Sequence, residues 1–171
     1  MSGSIILLSG PPAAGKSTVA KALAASAPGL AANIEGDKFW FFLAKGKLDQ
    51  GAHARIITRS MLLAARPYVR AGAEAIVDFT IGPWFLPSLR TVAGDVPIDF
   101  VVLCPSLEEC TRRAAGRIEG AIDYAPYREL HEAFGAVTGF EKHMITDNDL
   151  SAEQIAAKIR AGLGEGAYRL G

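Results

Sequence analysis

Five short apolar segments, separated by longer stretches of helical periodicity, predict an α/β fold in which a parallel sheet is covered by helices on both faces. The apolar segments are near-continuous rather than alternating, the pattern of strands buried on both sides. Size agrees. A chain of 171 residues, 50% hydrophobic and 21% charged, suits one compact core that buries about 70% of the surface the unfolded chain exposes. A single domain over 1–171 is expected.

The strands are expected at Ser4 to Ser9, Leu30 to Glu35, Glu74 to Phe79, Ile98 to Leu103 and Lys142 to Thr146, each too apolar to stand half-exposed. After the first strand, Val19, Ala20, Leu23 and Ala24 share one face of a helix that stops at Ala27-Pro28-Gly29, because proline and glycine both end helices. Ala52 to Arg70 reads as a second helix, with Pro67 expected to kink or restart it for want of a backbone donor. Ser106-Leu107-Glu108-Glu109 and Ser151-Ala152-Glu153-Gln154 both read as capping boxes, in which a serine oxygen accepts a first-turn N–H. Gly120 to Gly139, with Tyr124, Tyr127, Leu130 and Phe134, reads as a loop returning into an amphipathic helix, and the glycine-rich tail from Gly162 to Gly166 as frayed surface.

Eighteen basic and eighteen acidic residues cancel. A polynucleotide partner favours a basic excess, so nucleic acid is not expected, whereas a small anionic ligand held by local charge is compatible. Cys104 and Cys110 form neither a C-x-x-C pair nor a His/Cys cluster and read as reduced core thiols. The three histidines form no ligand set. No stretch is long enough for a membrane helix, and Ile5-Ile6-Leu7-Leu8 is too short for a signal core, so a cytoplasmic protein with no membrane partner is expected.

The strongest signal follows the first strand. Gly10-Pro11-Pro12-Ala13-Ala14-Gly15-Lys16-Ser17, then Thr18, fits G-x-x-x-x-G-K-[S/T] between a strand and a helix, the phosphate-binding loop. Glycine allows positive φ and a close approach of backbone N–H groups to phosphate oxygens, and the helix aims its positive end at the same oxygens. In this pattern Lys16 contacts the β and γ phosphates of ATP and the Ser17 hydroxyl helps hold Mg2+. The plain alternative is a glycine-rich turn with a surface lysine. No guanine-specific N-K-x-D is present, since Thr146-Asp147-Asn148-Asp149 does not match, which counts against a GTPase. Asp78 closes the third strand where a carboxylate would hold Mg2+ through water, but Phe79 follows it where motor ATPases often carry a glutamate. Asp78 also fits a turn or helix cap.

On these residues the chain resembles the small-molecule kinase branch of P-loop proteins, chloramphenicol phosphotransferase-like and gluconate-kinase-like enzymes above all, with the nucleoside monophosphate kinases beyond them. The resemblance runs over nearly the whole chain and is most specific at the P-loop. It implies a P-loop NTPase three-layer α/β/α fold, a five-stranded parallel sheet in the order 2-3-1-4-5, and a helical lid near 112–126. It also implies that Asp37, in Ile34-Glu35-Gly36-Asp37, faces the acceptor hydroxyl. Independently, the carboxyl ends of the first two strands open on one crevice, where a carboxylate could take the hydroxyl proton. Asp37 could equally cap the helix beginning Lys38-Phe39-Trp40. Leu107 to Arg117 resembles the helix leading into the lid. Arg113 and Arg117, four apart on one face, are then candidates to close over the transferring phosphoryl group, with Arg112 behind them, against the plain reading of a solvated basic face. Asp147 and Asn148 fall where related chains pass the adenine base.

The acceptor insert of related kinases corresponds to Trp40, Phe41, His53, Arg55 and Arg59, with Thr80-Ile81-Gly82-Pro83-Trp84-Phe85 as the opposite wall. Aromatics at helical spacing serve as core more often than as pocket. Arg55 and Arg59, four apart, would suit a monophosphate. Three readings result: a metabolite or antibiotic kinase using ATP and Mg2+ on a hydroxylated small molecule, a cytidylate-like monophosphate kinase, and an ATP-binding regulatory module. A monomer or homodimer is expected.

Overall fold

A computed structural model describes residues 3–116 and 123–171. Strand β1 (Ile5–Ser9) is completely buried, with β3 (Glu74–Asp78) on one side and β4 (Ile98–Leu103) on the other; β2 (Ala31–Glu35) and β5 (Met144–Ile145) lie at the edges. The order is β2-β3-β1-β4-β5, and every neighbouring pair is parallel. This is the sheet expected from the sequence.

The continuous apolar run of β1 has a direct cause. Ile5 and Leu7 face a core shared with helix α2 (Gln50–Arg70) through Ile57, Met61 and Leu62, and with α3 (Leu86–Ala93) through Leu89. Ile6 and Leu8 face the other core, made with Val19, Ala20 and Leu23 of α1 (Lys16–Ala25) and with Ile155 and Ile159 of α6 (Ala152–Gly164). Neither side of the strand meets water, so a polar residue is tolerated only where its hydrogen bonds are met internally, as at Ser9. Among the described residues no helix is long and apolar enough to cross a membrane.

The structure corrects several expectations. β2 is an exposed edge strand, because Ala-Ala-Asn-Ile-Glu brings one large apolar side chain to the sheet. β5 is two residues long and pairs only with Val102 and Leu103. Gly162–Gly164, expected to fray, close a helix over Ala152–Gly164; the first half of β4 has backbone groups to satisfy, and the residues just beyond that stretch supply them. Phe100 N donates to Tyr168 O at 2.9 Å, Leu170 N donates to Ile98 O at 3.0 Å, and Arg169 grips the buried Asp99 carboxylate with two hydrogen bonds of 2.8 and 3.1 Å. α2 starts earlier than expected, at Gln50, where Asp49 caps it by accepting from Ala52 N, and it runs unbroken through Pro67 to Arg70. Pro67 lies in the last turn, where a lost hydrogen bond disturbs little helix.

Candidate phosphate loop and crevice

Between β1 and α1 the chain takes positive φ at Gly10 (141°), Ala13 (59°) and Gly15 (94°). A Cβ on Gly10 would collide with the Leu103 carbonyl, so the loop can leave the sheet here only as glycine. Gly15 caps α1 with left-handed backbone and no side-chain hydrogen bond, leaving the first-turn N–H groups to point into the loop. Lys16 folds back along the loop, donating to Gly10 O at 3.1 Å and Pro11 O at 2.9 Å.

The outside of the loop is held by distant residues. The Tyr124 hydroxyl donates to Pro12 O at 3.0 Å, and its ring packs in a cluster with Ala13, Cys110 and Ala114. Burial raises the pKa of that hydroxyl, so Tyr124 stays a protonated donor. Arg113, in helix α4 (Leu107–Ala115), donates to Ala14 O at 3.2 Å, Asn148 O at 3.1 Å and the Glu109 carboxylate at 2.6 Å. Arg112, then Arg113, hold that carboxyl at about 2, below the usual range. Glu109 is therefore unavailable to complete a capping box. Ser106 Oγ accepts from Glu109 N at 3.2 Å, but Ser106 N donates to Asn148 Oδ1 at 2.9 Å instead. The box at Ser151 does form, with Gln154. Ser9 closes the floor of the site: its hydroxyl donates to Ile81 O at 2.6 Å and accepts from Ile81 N at 2.9 Å, which ties the end of β1 to the loop after β3.

A cavity of about 510 Å3 opens beside the loop. Lys16, Ser17 and Thr18 line one end, Asp37 lies in the wall, and Trp40, Phe79, Trp84 and Tyr127 supply rings. Asp37 is exposed and sits in the first turn of a 3-10 helix, Gly36–Phe42, whose capping position is Glu35 and which has no side-chain cap. The alternative reading of Asp37 as a helix cap is thereby corrected. The helix begins two residues too early for it.

Asp78 is 4% exposed, and its Oδ1 has no hydrogen-bond partner among the described residues. Burial pushes its carboxyl above the usual range, and Asp37 and Glu35 push the same way, opposed by the Ser17 hydroxyl and the Lys16 ammonium. No group of three or more acidic, histidine or cysteine side chains among the described residues is arranged to hold a metal, but the unsatisfied Asp78 oxygen beside the Ser17 hydroxyl offers hard oxygen donors of the kind Mg2+ takes.

Lys16, Ser17, Thr18, Asp37 and Asp78 are thus neighbours. Arg113 is placed elsewhere, against the outside of the loop, where it lines a second cavity with Ala14, Thr18, Leu150 and Ile155. Arg117 lies outside the described residues, as does lid segment 117–122. Asp147 pairs with Lys158 at 2.7 Å. Arg55 and Arg59 line a separate cavity of about 100 Å3 next to the crevice. Ser9, Gln50 and Tyr124 were not legible as site residues. Ser9 and Tyr124 act through contacts far along the chain, 72 residues to Ile81 and 112 to Pro12, Gln50 reaches the cavity from the start of α2, and nothing local marks them.

A family model described as an AAA domain matches residues 5–134. Among solved structures, the chain is similar to the tunicamycin resistance protein of Deinococcus radiodurans, at 20% identity and a TM-score of 0.74 over 95% of this chain and 96% of that one. It is similar to a sugar kinase from Janibacter sp. HTCC2649, at 19% identity and 0.72 over 95% of each. It is also similar to the Mycobacterium tuberculosis APS kinase, solved in complex with AMPPNP and APS, at 20% identity and 0.72 over 95% of this chain and 98% of that one. At these identities the likeness carries the fold, that of P-loop kinases. No protein of curated function matches significantly.

Proposed function

Because the chain belongs to the AAA domain family, we propose that it is an ATP- and Mg2+-dependent kinase that moves the γ-phosphoryl group to a hydroxyl of a small molecule, with 1–171 acting as one catalytic unit. The observation that carries this is the juxtaposition in one cavity of Lys16 and Ser17 with Asp37, an exposed carboxylate that caps no helix.

Residues 10–18 would cradle the nucleotide phosphates with backbone N–H groups. Lys16 would exchange the carbonyls of Gly10 and Pro11 for phosphate oxygens. Ser17 and Asp78 would hold Mg2+, which when bound supplies neutralisation of the phosphate charge. Asp37 would accept the hydroxyl proton as the acceptor oxygen bonds to the γ phosphorus and the bond to the bridging oxygen breaks, leaving ADP. Arg113 would act from the nucleotide side, fixing the loop. A guanidinium closing over the phosphates remains the proposed role of Arg117.

The test is ADP formation from Mg-ATP across hydroxylated acceptors, with wild type beside Asp37→Asn. An acceptor-dependent rate that falls by about 10²-fold or more in the variant, with ATP affinity unchanged, supports the reading. A variant as fast as wild type removes Asp37 as base. ATP binding with no acceptor-dependent turnover at all points instead to a regulatory module.

A further inference from the structure

We infer that the acceptor is an uncharged, ring-bearing alcohol, and not a phosphate or carboxylate; this rests on the kinase reading above. The acceptor end of the crevice is walled by Asp37, Trp40, Gln50, Phe79, Thr80 and Trp84, and among the described residues it contains no cation of its own. Lys16 belongs to the phosphate end. Glu35 pairs in register with Asp78 across β2 and β3, and Asp37 follows two residues after Glu35, so three carboxylates belong to this end of the sheet. An anionic acceptor would lose water among carboxylates and gain no partner.

The rings are held ready. Trp40 meets His53 edge-on at 4.5 Å and Phe79 at 6.1 Å. Trp84 is 49% exposed, yet it packs on the buried Phe134 at 5.8 Å, and its indole lies across the backbone of Gly82, where a Cβ would collide with it. Fixed aromatic faces bind a planar or apolar ring at small entropic cost. The hydrogen-bonding groups beside them, Gln50 and Thr80, are neutral and suit hydroxyls or amides. Arg55 and Arg59 are exposed and line the adjoining cavity rather than the crevice.

The chain has two tryptophans, Trp40 and Trp84, and both line the crevice, so their fluorescence reports its occupancy without any turnover. The full chain is titrated with matched pairs that share a ring and a hydroxyl and differ in charge: cytidine against CMP, adenosine against AMP, glucose against glucuronate. The expected result is quenching by uncharged members, with the anionic partner at least about ten-fold weaker. Gly82→Ala, whose added Cβ forces the Trp84 indole off the Gly82 backbone, weakens the uncharged ligand by about ten-fold and leaves Mg-ATP affinity unchanged, while Arg55→Ala/Arg59→Ala changes neither. Tighter binding of the anionic members, loss of binding in the double arginine variant, or quenching by no pair overturns the inference. ADP formation is followed in parallel. Quenching without it counts against the kinase reading and not against the preference for neutral ligands, whereas turnover confined to anionic acceptors does the reverse.

Discussion

The two ends of the crevice are built differently. At the phosphate end, eight consecutive residues set the backbone, and side chains from distant elements brace it from outside: Tyr124 on Pro12 and Arg113 on Ala14. At the acceptor end no backbone motif exists. The wall is assembled from the 3-10 helix after β2, the start of α2, the loop after β3 and the segment before α5 (Arg128–Gly135), and its neighbourhood leaves large apolar rings exposed, Phe41 at 84% and Phe42 at 74%. Every nucleotide presents the same phosphates, so a local motif can be rigid and fixed. Acceptors differ, and their recognition is delegated to side chains that converge only in the fold.

The largest expected effect breaks the phosphate end alone. Lys16→Ala removes the one cation that, among the described residues, lines the crevice. Mg-ATP affinity is expected to fall by at least about ten-fold and turnover by about 10²- to 10³-fold, with tryptophan quenching by the acceptor unchanged. ATP titration by calorimetry beside acceptor titration by fluorescence reads both. A variant that binds Mg-ATP like wild type would sink the assignment of the loop, and one that loses both ligands equally would show that the two ends are one unit.

That division also explains what was legible in the sequence. The sheet order and the loop could be read because their determinants are local: a run of apolar residues for β1, fixed glycines at 10 and 15. Asp37 could be placed beside the loop because strand order puts the ends of β1 and β2 on one side. Trp40 and Trp84 could not be told from core, since helical spacing looks the same whether an indole meets Leu or water. The tail was misread for a related reason. Gly162 to Gly166 is flexible in composition, and what recruits the residues beyond it is the shortness of β5, which leaves Ile98 to Phe100 unpaired. The capping box at Ser106 failed because Glu109 found two arginines.

A smaller effect sharpens the comparison at the brace. Arg113→Ala deletes donors to Ala14 O, Asn148 O and Glu109 together. With the side chain 25% exposed, the loss is expected near 2 kcal/mol, or about 4–8 °C in Tm for a chain of this length. Because the lost contacts fix the loop, ATP affinity should also drop several-fold while acceptor binding stays. Thermal melting and nucleotide titration check it. If acceptor binding weakened as much as ATP binding, bracing would extend across the crevice and the two ends would not be separable.

The smallest expected effect lies at the acceptor end. Phe41 is the most exposed large apolar side chain among the described residues and lines none of the cavities around the site. Burying nothing, it contributes no transfer free energy, and surface changes of this kind stay within about 0.5 kcal/mol. Phe41→Ser is therefore expected to leave Tm within about 2 °C and to leave both ligand affinities alone, in contrast to Gly82→Ala on the opposite wall. Melting at two protein concentrations makes the measurement decisive. A Tm that falls in the variant, and does so more at high concentration, would mean that Phe41 is covered by a second copy of the chain, and the acceptor end would then owe its shape to an interface as well as to the fold.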